Sequence, residues 1–389
     1  MNKIIINLIS FALFDCGDEI TQDIDWAELY SFSKKQQISV LIYFGLLNSK
    51  IFVPQKILDK FQNDAFISIA TSCNQIFEAE RISAAFEKNH IDHMLLKGTL
   101  LKEIYPKPEM RQMGDVDILI RTKQTETITQ VMDKLGFVYK YDSNHEIVWS
   151  KSDTLSIELH KMLIPSYNKD FYAYYGDGWN HAKKISGKAH GYQLSAEDNY
   201  IFIFTHFAKH YRDAGVGLKH IIDLYLLKKY IGNIEYVENE LKKLQLFDFH
   251  RNVQNTLQVW FEKKEADKIT DTITNRIFAG GAYGTSEARV LSSALKNTKT
   301  TGSVKNAILK KIIIMLFPSS SVMKKKYPIL NNLPFLLPFL WIWRWGTALF
   351  LRQENVKIQA TVAKTLNKQK IDMYHSELNL VGLDFNFKE

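Results

Sequence analysis

The sequence predicts an α+β protein, in which a small domain of short strands is flanked by helical regions on both sides. The spacing of the apolar residues supports this prediction. Before about residue 90 and after about residue 194, apolar residues recur every three or four positions, as they do along a helix. Between these regions they form runs of four to seven residues separated by turns, which is typical of strands. A chain of 389 residues is also too long for one small core, so we expect several domains.

This pattern divides the chain into four predicted regions. A helical region is followed by an α/β domain, a second helical region and a C-terminal segment rich in basic and aromatic residues, and these span residues 1–90, 91–193, 194–310 and 311–389. The predicted strands of the α/β domain are "HMLL", "DVDILI", "FVYKY", "EIVWS" and "TLSIELH". The segment "QTETITQVMDKLG" is predicted to be a helix, and "YDSNHE" a hairpin turn. Ser195 is the predicted N-cap that begins the second helical region.

Composition indicates a globular protein of a reducing compartment. Hydrophobic residues make up 46% of the chain and charged residues 24%. The two cysteines, Cys16 and Cys73, form neither a metal-ligand spacing nor a disulfide framework. The apolar N-terminal run lacks a small-residue cleavage site, so we interpret it as a first helix rather than as a signal peptide. We therefore expect a cytoplasmic protein.

Positive charge is concentrated in one part of the chain. The formal net charge is +8, yet residues 288–353 contain no Asp or Glu. The same stretch carries the following basic residues: Arg289, Lys296, Lys299, Lys305, Lys310, Lys311, Lys324, Lys325, Lys326, Arg344 and Arg352. The remainder of the chain is therefore slightly acidic.

Two aspartates mark the second predicted strand as a candidate site. Strands are poor in Asp, yet "DVDILI" contains Asp115 and Asp117, and side chains two positions apart share a face. In "TLSIELH" the same period places Ser156, Glu158 and His160 on one face. If the two strands are neighbours, three carboxylates converge on one polar surface. The alternative is that these acids lie on an ordinary solvated strand face.

Converging carboxylates favour a hard cation. Magnesium prefers carboxylate oxygens, and one or two ions would relieve the repulsion among the acids. Gly98 and Thr99 follow an apolar strand at the predicted start of a helix, where backbone N–H groups can approach a phosphate. Metal-binding acids that face such a turn are the parts needed for phosphoryl or nucleotidyl transfer.

The order of these motifs resembles the DNA polymerase β-like nucleotidyltransferase superfamily. More narrowly, "LLKGTLL", "YP", "GDVDILI", "LGF" and "IELH", with the helical "HFAKHYRDAGVGLKHIIDL" and the late "LLPFLWIWR", are similar to the bacterial family named uncharacterised nucleotidyltransferase. The superfamily usually has Gly-Ser or Gly-Gly where this chain has Gly98 and Thr99, and Thr also offers a hydroxyl. The resemblance implies a small mixed-sheet nucleotidyltransferase domain flanked by helical regions.

The resemblance also implies a two-metal-ion mechanism, in which NMP moves from an NTP to a hydroxyl and pyrophosphate is released. Asp115 and Asp117 would bridge two Mg²⁺ ions, with Mn²⁺ as an alternative, and Glu158 would complete the ion site that activates the hydroxyl. Gly98 and Thr99 would hold the β- and γ-phosphates.

Three further residues are predicted to contact the nucleotide. Lys97 and Arg111 are candidate phosphate contacts, since guanidinium and ammonium groups bind phosphate oxygens. Plain surface charges are the alternative for both. His160 is a candidate beside Glu158, and a structural histidine that binds a carboxylate is the alternative.

Two residue pairs in the second helical region are less specific signals. His206 and His210 lie four positions apart, which is a metal-ligand spacing, but no zinc-protease pattern surrounds them. We therefore favour a packed or phosphate-facing pair. Lys219 and Asp223 either line the cleft or form an ion pair on one helix face.

The C-terminal segment has two interpretations. Residues 333–351 read "LPFLLPFLWIWRWGTALFL", in which the prolines and Arg344 leave too short an apolar run for a membrane span. The segment is either a buried helix or, with the basic stretch, a peripheral membrane contact through residues 288–353, at the inner face of the membrane. We do not expect a nucleic-acid partner, because no base-stacking motif is present.

Other functions are compatible with the same domain. The main alternative is a catalytically weak nucleotidyltransferase-like protein that serves as a binding or scaffolding module. A toxin-like enzyme that modifies protein or tRNA is a third option, although such enzymes are usually minimal catalytic domains. The acceptor is not identified by the sequence, and a sugar or lipid-linked acceptor is our expectation.

Overall fold

The computed structural model describes residues 1–121, 124–282, 284–301, 313–314, 316–351 and 368–384. One structural unit comprises Met1–Lys209 and Val216–Ala282, and a second comprises His210–Gly215 and the described residues that follow Ala282. The fold is mixed α and β, as the sequence predicts. The four predicted regions stay a prediction.

Helices precede the sheet. They are α1 (Asn2–Phe14), α2 (Trp26–Gln36), α3 (Ser39–Ser49) and α4 (Gln55–Lys88). The side chain of Asp25 accepts a hydrogen bond from the backbone N–H of Glu28 and thereby caps α2. Helix α4 has 34 residues, and its buried face continues along the whole helix from Phe61 to Phe86.

The sheet contains seven strands within the described residues. They are β1 (His93–Leu95), β2 (Asp115–Ile120), β3 (Val138–Asp142), β4 (Glu146–Ser152), β5 (Leu155–His160), β6 (Lys183–Lys184) and β7 (Gly191–Gln193). Their order is β3-β4-β5-β2-β1-β7-β6. The pairs β2–β5 and β1–β7 are parallel and the remaining pairs are antiparallel, so the sheet is mixed.

Two helices cover one face of this sheet. Helix α4 and a later helix, α6 (Thr125–Lys134), pack on the alternate apolar residues of β2 and β5. In β2 these are Val116, Ile118 and Ile120, and in β5 they are Leu155, Ile157 and Leu159. The alternation predicted from the sequence is therefore confirmed. Because this apolar face is covered, the polar side chains of the same strands project from the opposite face.

Strands β1 to β5 match the predicted ones, and "YDSNHE" forms the predicted hairpin turn. Its backbone is held by Ser143, whose Oγ accepts from the N–H groups of His145 and Glu146 at 3.2 and 3.0 Å. The two short strands β6 and β7 were not predicted. They have two and three residues, and neither contains an apolar run like the one at β1.

Shorter elements connect the strands, and helices follow them. The short elements are α5 (Gly98–Lys102), the 3₁₀ helix Pro108–Met110 and α7 (Lys169–Tyr175). The later helices are α8 (Ala196–Asp213), α9 (Leu218–Lys228), α10 (Ile234–Lys243), α11 (Phe247–Phe261) and α12 (Lys268–Gly280). Ser195 caps α8 as predicted, because its Oγ accepts from the N–H of Asp198 at 3.1 Å.

The second unit contains further helices. They are α13 (Ser286–Thr301), α14 (Ser320–Lys326), α15 (Leu337–Leu351) and α16 (Lys368–Leu380). Helix α15 contains most of the apolar C-terminal run. Within the described part of the chain, we find no helix that combines the length and the apolar character needed to cross a membrane.

Candidate active site

The register of β2 and β5 brings the predicted acids together. Asp117 is paired with Glu158, and Asp115 with Ser156, across the two parallel strands. All of these side chains lie on the face of the sheet that α4 and α6 do not cover. Asp117 is 6% exposed, whereas Asp115 and Glu158 are half-buried, so the cluster reaches from the interior towards the surface.

Lys97 supplies the nearest positive charge. It precedes α5, and its Nζ lies 3.0 Å from Asp117 Oδ1. Burial would lower the pKa of Lys97, but the charges of Asp117 and Asp115 outweigh burial and raise it. The Lys97 backbone has φ 44° and ψ −116°, a region that residues with a Cβ rarely occupy. The turn therefore holds the ammonium group over the acids with a strained backbone.

His160 contacts two of the three acids. Its Nε2 lies 2.5 Å from Asp117 Oδ1 and 3.5 Å from Glu158 Oε2. Its Nδ1 lies 3.1 Å from Nε2 of His145, a residue of the hairpin turn. Burial and the charge of Lys97 would lower the pKa of His160, but its hydrogen bonds with Asp117 and Glu158 raise it. Burial, aided by the charges of His160 and Lys97, lowers the pKa of His145 to about 3.

The pKa of His160 is raised and that of His145 is lowered, which indicates which of the two rings is the more readily protonated. A protonated His160 can donate from both ring nitrogens, to Asp117 and to a neutral His145. His160 is 2% exposed. It therefore contacts the carboxylates from the buried side. This agrees with the alternative considered from the sequence, in which His160 is a structural histidine that binds a carboxylate.

The pKa values of Asp117 and Asp115 are shifted in opposite directions. Burial would raise the pKa of Asp117, but Lys97 and the hydrogen bond from His160 outweigh burial and hold its pKa well below the usual range. Burial and the charges of Asp117 and Glu158 instead raise the pKa of Asp115 to about 7. Because Lys97 and His160 both contact Asp117, this carboxylate is compensated, whereas Asp115 remains under repulsion from Asp117 and Glu158.

The Gly98–Thr99 turn lies beside this cluster. A Cβ on Gly98 would come within 2.6 Å of Met113 Sδ, so a side chain at this position would displace Met113. The Thr99 hydroxyl is buried and has no hydrogen-bond partner among the described residues. A buried hydroxyl without a partner is uncommon in proteins.

Arg111, in contrast, points to a different partner. It is 6% exposed, and its guanidinium binds both carboxylate oxygens of Asp223 on α9. Burial would lower the pKa of Arg111, but the Asp223 carboxylate raises it. The same carboxylate accepts from the hydroxyl of Tyr105 at 2.8 Å. Arg111 is therefore engaged in the fold beside the site, and its predicted phosphate contact would require breaking this pair.

The other two predicted pairs also have packing partners. Lys219 Nζ donates to Gln37 Oε1 at 2.7 Å, and burial lowers the pKa of Lys219 to about 8. The ring of His206 lies near the rings of Phe202 and His220. Neither His206 nor His210 belongs to a cluster of metal-ligand atoms among the residues that the structure describes.

Two overlapping groups of side chains have the spacing of a cation site. They are Asp117, Glu158 and His160, and His145, Glu146 and His160, with ligand atoms in each group within 4.8 Å of one another. The charge at Asp115 adds a further oxygen donor at the open side. This donor set is dominated by carboxylates, and its unrelieved negative charge fits Mg²⁺ or Mn²⁺ better than a soft metal.

Sequence reasoning missed the contribution of the hairpin turn. His145 contacts His160, and Glu146 lies opposite His160 in the β4–β5 register. Tyr141 reaches Glu146 Oε1 with its hydroxyl at 3.4 Å. The available signal was that "YDSNHE" ends with His and Glu at the start of a strand, next to the strand that carries Glu158.

A mixed sheet that places two acidic strands beside a glycine turn is the arrangement of a nucleotidyltransferase. Comparison with protein families agrees with this class. The family described as uncharacterised nucleotidyltransferase matches residues 22–262, which is more than half of the chain. The chain belongs to this family.

Two other comparisons add little detail. The solution structure of the antibiotic-resistance factor ANT(2'')-Ia is similar at 14% sequence identity and a TM-score of 0.33, over 50% of this chain and 100% of that one. The comparison with curated proteins found no match.

Proposed function

We propose that this protein is a magnesium-dependent nucleotidyltransferase that transfers NMP from an NTP to a hydroxyl group of an acceptor. The observation that carries the proposal is the convergence of Asp115, Asp117 and Glu158 on one face of the sheet. The raised pKa of Asp115, about 7, supports it, because a bound cation would remove the repulsion that burial and the neighbouring acids create.

Each predicted site residue except Arg111, which pairs with Asp223, has a role in this proposal. Asp115, Asp117 and Glu158 would hold Mg²⁺, or Mn²⁺, and such ions stabilise negative charge on phosphate oxygens during transfer. Lys97 limits the charge on Asp117 and lies where it can reach a phosphate. The Thr99 hydroxyl and the backbone at Gly98 would bind the β- and γ-phosphates. His160 would hold the Asp117 carboxylate in position and would not contact the nucleotide directly.

The proposed reaction is a displacement at the α-phosphorus. The acceptor oxygen forms a bond to this phosphorus, the bond to the bridging oxygen of the β-phosphate breaks, and pyrophosphate leaves. The hydroxyl proton passes to a base. Glu158 is suited to receive it, because its side chain is 23% exposed and so remains accessible beside the more buried Asp117.

The contacts of Asp117 favour a second candidate function. Lys97 and His160 already compensate this carboxylate from within the chain, as a cation would. A protein with such internal compensation could bind a nucleotide without transferring it and act as a scaffold. Binding and transfer must therefore be measured separately.

The first test is calorimetric titration of the wild-type protein with each of the four NTPs, with and without magnesium. The proposal expects binding of at least one NTP that requires magnesium and is lost in the Asp115→Asn/Asp117→Asn variant. Asp133→Asn, on the exposed surface of α6, is the matched control and should bind as the wild type does. Absence of binding by the wild type to all four NTPs would contradict the proposal.

Transfer is then followed with NTP labelled at the α-phosphate. Label that appears on an added sugar or lipid-linked acceptor supports the enzyme proposal and identifies the acceptor class. Magnesium-dependent binding without transfer to sugar, lipid, protein or RNA acceptors supports the scaffold function instead. The cytoplasmic location stays a prediction, tested by cell fractionation.

A further inference from the structure

Helix α15 has one face that packs against its own unit. The indole N–H of Trp341 donates to Pro318 O at 3.1 Å, and that of Trp345 donates to Leu316 O at 2.8 Å. The ring of Phe317 lies edge-on to both indoles, with centroids 5.2 and 5.1 Å away. These contacts determine which side of the helix faces inwards. The expectation of a buried helix therefore holds for this face alone.

The opposite face of α15 is apolar and open. Phe339, Ile342 and Trp343 are 67%, 61% and 64% exposed, and they lie on one side of the helix at three- and four-residue spacing. Phe335, in the turn before the helix, is 66% exposed. One turn further on, a Cβ placed on Gly346 would meet none of the described atoms within 4 Å. We call Phe335, Phe339, Ile342 and Trp343 the C-terminal apolar face.

Exposed apolar side chains are also present in the chain before α15. The segments that precede the helix expose further large apolar residues, namely Leu316, Phe317, Val322, Ile329 and Leu333. Soluble monomers rarely expose so many large apolar side chains in one region, and such surfaces usually serve an interaction. A partner with an apolar layer is therefore required.

The charge of the surrounding sequence specifies that partner further. Residues 288–353 carry the Lys and Arg residues named above and no acidic residue. A chain segment that combines exposed Phe, Ile and Trp with an excess of positive charge is typical of binding to a lipid bilayer with anionic headgroups, in which Trp prefers the interface. An apolar protein partner would not account for the absence of every Asp and Glu from the stretch.

We propose that the C-terminal apolar face inserts into the surface of an anionic lipid bilayer, and that the net positive charge of residues 288–353 attracts this segment to the headgroups. The indole hydrogen bonds of Trp341 and Trp345 keep the inner face attached to the protein, so the helix lies along the interface. This inference does not depend on the chemistry of the acidic site.

The test is vesicle flotation of the full chain with two vesicle types, phosphatidylcholine alone and phosphatidylcholine with about 30% phosphatidylglycerol. The wild type is expected to float with the anionic vesicles and to be released by high salt. The Phe339→Glu/Trp343→Glu variant is expected to lose about tenfold or more of its bound fraction, because each glutamate would enter the apolar interface.

The matched control changes two equally exposed apolar residues elsewhere. Phe66→Glu/Phe77→Glu alters side chains of α4 that are 61% and 59% exposed, and it should float as the wild type does. Circular dichroism checks that both variants fold. Equal binding to neutral and anionic vesicles, no flotation of the wild type, or equal loss in the control variant would each overturn the proposal. A dimer in light scattering that the Phe339→Glu/Trp343→Glu variant abolishes, without flotation, would assign the face to a second copy and overturn it too.

Discussion

Arg111 and Asp223 form a buried, doubly hydrogen-bonded ion pair, although they are 112 residues apart in the sequence. Arg111 Nε lies 2.9 Å from Asp223 Oδ1, and Nη2 lies 2.9 Å from Oδ2. The pair joins the segment that leads into β2 with helix α9. It therefore fixes the position from which Asp115 and Asp117 begin their strand.

This pair predicts a large coupling between two substitutions. Asp223→Asn leaves the Arg111 charge buried without its partner and should reduce the free energy of unfolding by roughly 3–5 kcal/mol. Arg111→Met should have a similar effect, and the Arg111→Met/Asp223→Asn double variant should recover most of the loss, because the asparagine amide oxygen can still accept from the Tyr105 hydroxyl. Urea denaturation of the four proteins measures the coupling. The exposed pair Arg251–Asp248 is the control, for which Asp248→Asn should change stability by less than about 1 kcal/mol. Additive effects of the two buried substitutions would contradict the prediction.

The raised pKa of Asp115 predicts that the acidic site destabilises the metal-free protein at neutral pH. Asp115 keeps its proton in the folded state until about pH 7, whereas in the unfolded state it loses the proton near pH 4. The stability that the raised pKa of Asp115 contributes is therefore fully present below about pH 4 and is lost as the pH rises to 7. Asp115→Asn removes this titration and should stabilise the metal-free protein by on the order of 2–4 kcal/mol at pH 7.

Thermal unfolding in EDTA at pH 5 and pH 7 checks this expectation, and added magnesium provides the complementary result. Magnesium should raise the midpoint of the wild type and have little effect on Asp115→Asn, since binding to the folded state stabilises it. A metal-free Asp115→Asn variant that is less stable than the wild type at pH 7 would show that the carboxylate is not under repulsion.

The backbone at Lys97 predicts an inverted order of substitutions. Lys97→Ala removes the ammonium group but keeps the Cβ at φ 44°, whereas Lys97→Gly removes both. The glycine variant should therefore be more stable than the alanine variant by about 1 kcal/mol. At Lys60, in the exposed interior of α4, the order should be the ordinary one, with glycine about 1 kcal/mol less stable than alanine. Urea denaturation of the four variants measures their stabilities. If alanine is the more stable substitution at both positions, the backbone at Lys97 is not strained.

A buried histidine away from the site predicts acid sensitivity. His250 is 5% exposed, and burial lowers its pKa to about 4. The folded state keeps it neutral while the unfolded state binds a proton below about pH 6.5, so stability is lost as the pH falls from 6.5 to 4. The loss through this residue should be about 2 kcal/mol at pH 5. His250→Gln should remove that part of the difference between urea unfolding at pH 7 and at pH 5.

The neighbour of His250 provides the control. The hydroxyl of Tyr200 is hydrogen-bonded to His250 Nε2, at 2.9 Å. Tyr200→Phe should lower stability at both pH values by about 1 kcal/mol and leave the pH dependence in place, because His250 stays buried and titratable. A flat pH profile in Tyr200→Phe would show that the hydroxyl, and not burial, is the cause.

Most of the structural features that could be predicted were indicated by the local spacing of apolar and polar residues. The alternation in "DVDILI" and "TLSIELH" is imposed by one covered and one open face of a sheet, so both strands and their polar faces were readable. The cap at Ser195 was readable for a similar reason, since it satisfies a backbone N–H three residues away. Strands β6 and β7 were missed because they are short and contain no apolar run.

Contacts between residues that are far apart in the sequence could not be predicted. Arg111 was predicted to face a phosphate because it precedes the acidic strand, but the folding of α9 against this segment gives it Asp223 instead. His145 was missed because its contact with His160 depends on the antiparallel pairing of β4 with β5. The spacing of residues in the sequence does not specify the pairing of Arg111 with Asp223.

By itself, the sequence determined which residues this protein can use: Asp115, Asp117 and Glu158 on open strand faces, Gly98 and Thr99 at a turn, and a C-terminal stretch without acids. These features depend on residues close together along the chain. Only the tertiary structure decided that Lys97 and His160 compensate Asp117 while Asp115 stays under repulsion, and that one face of α15 stays open. Charge, burial and exposure are properties of the surroundings of a side chain, and long-range packing creates those surroundings.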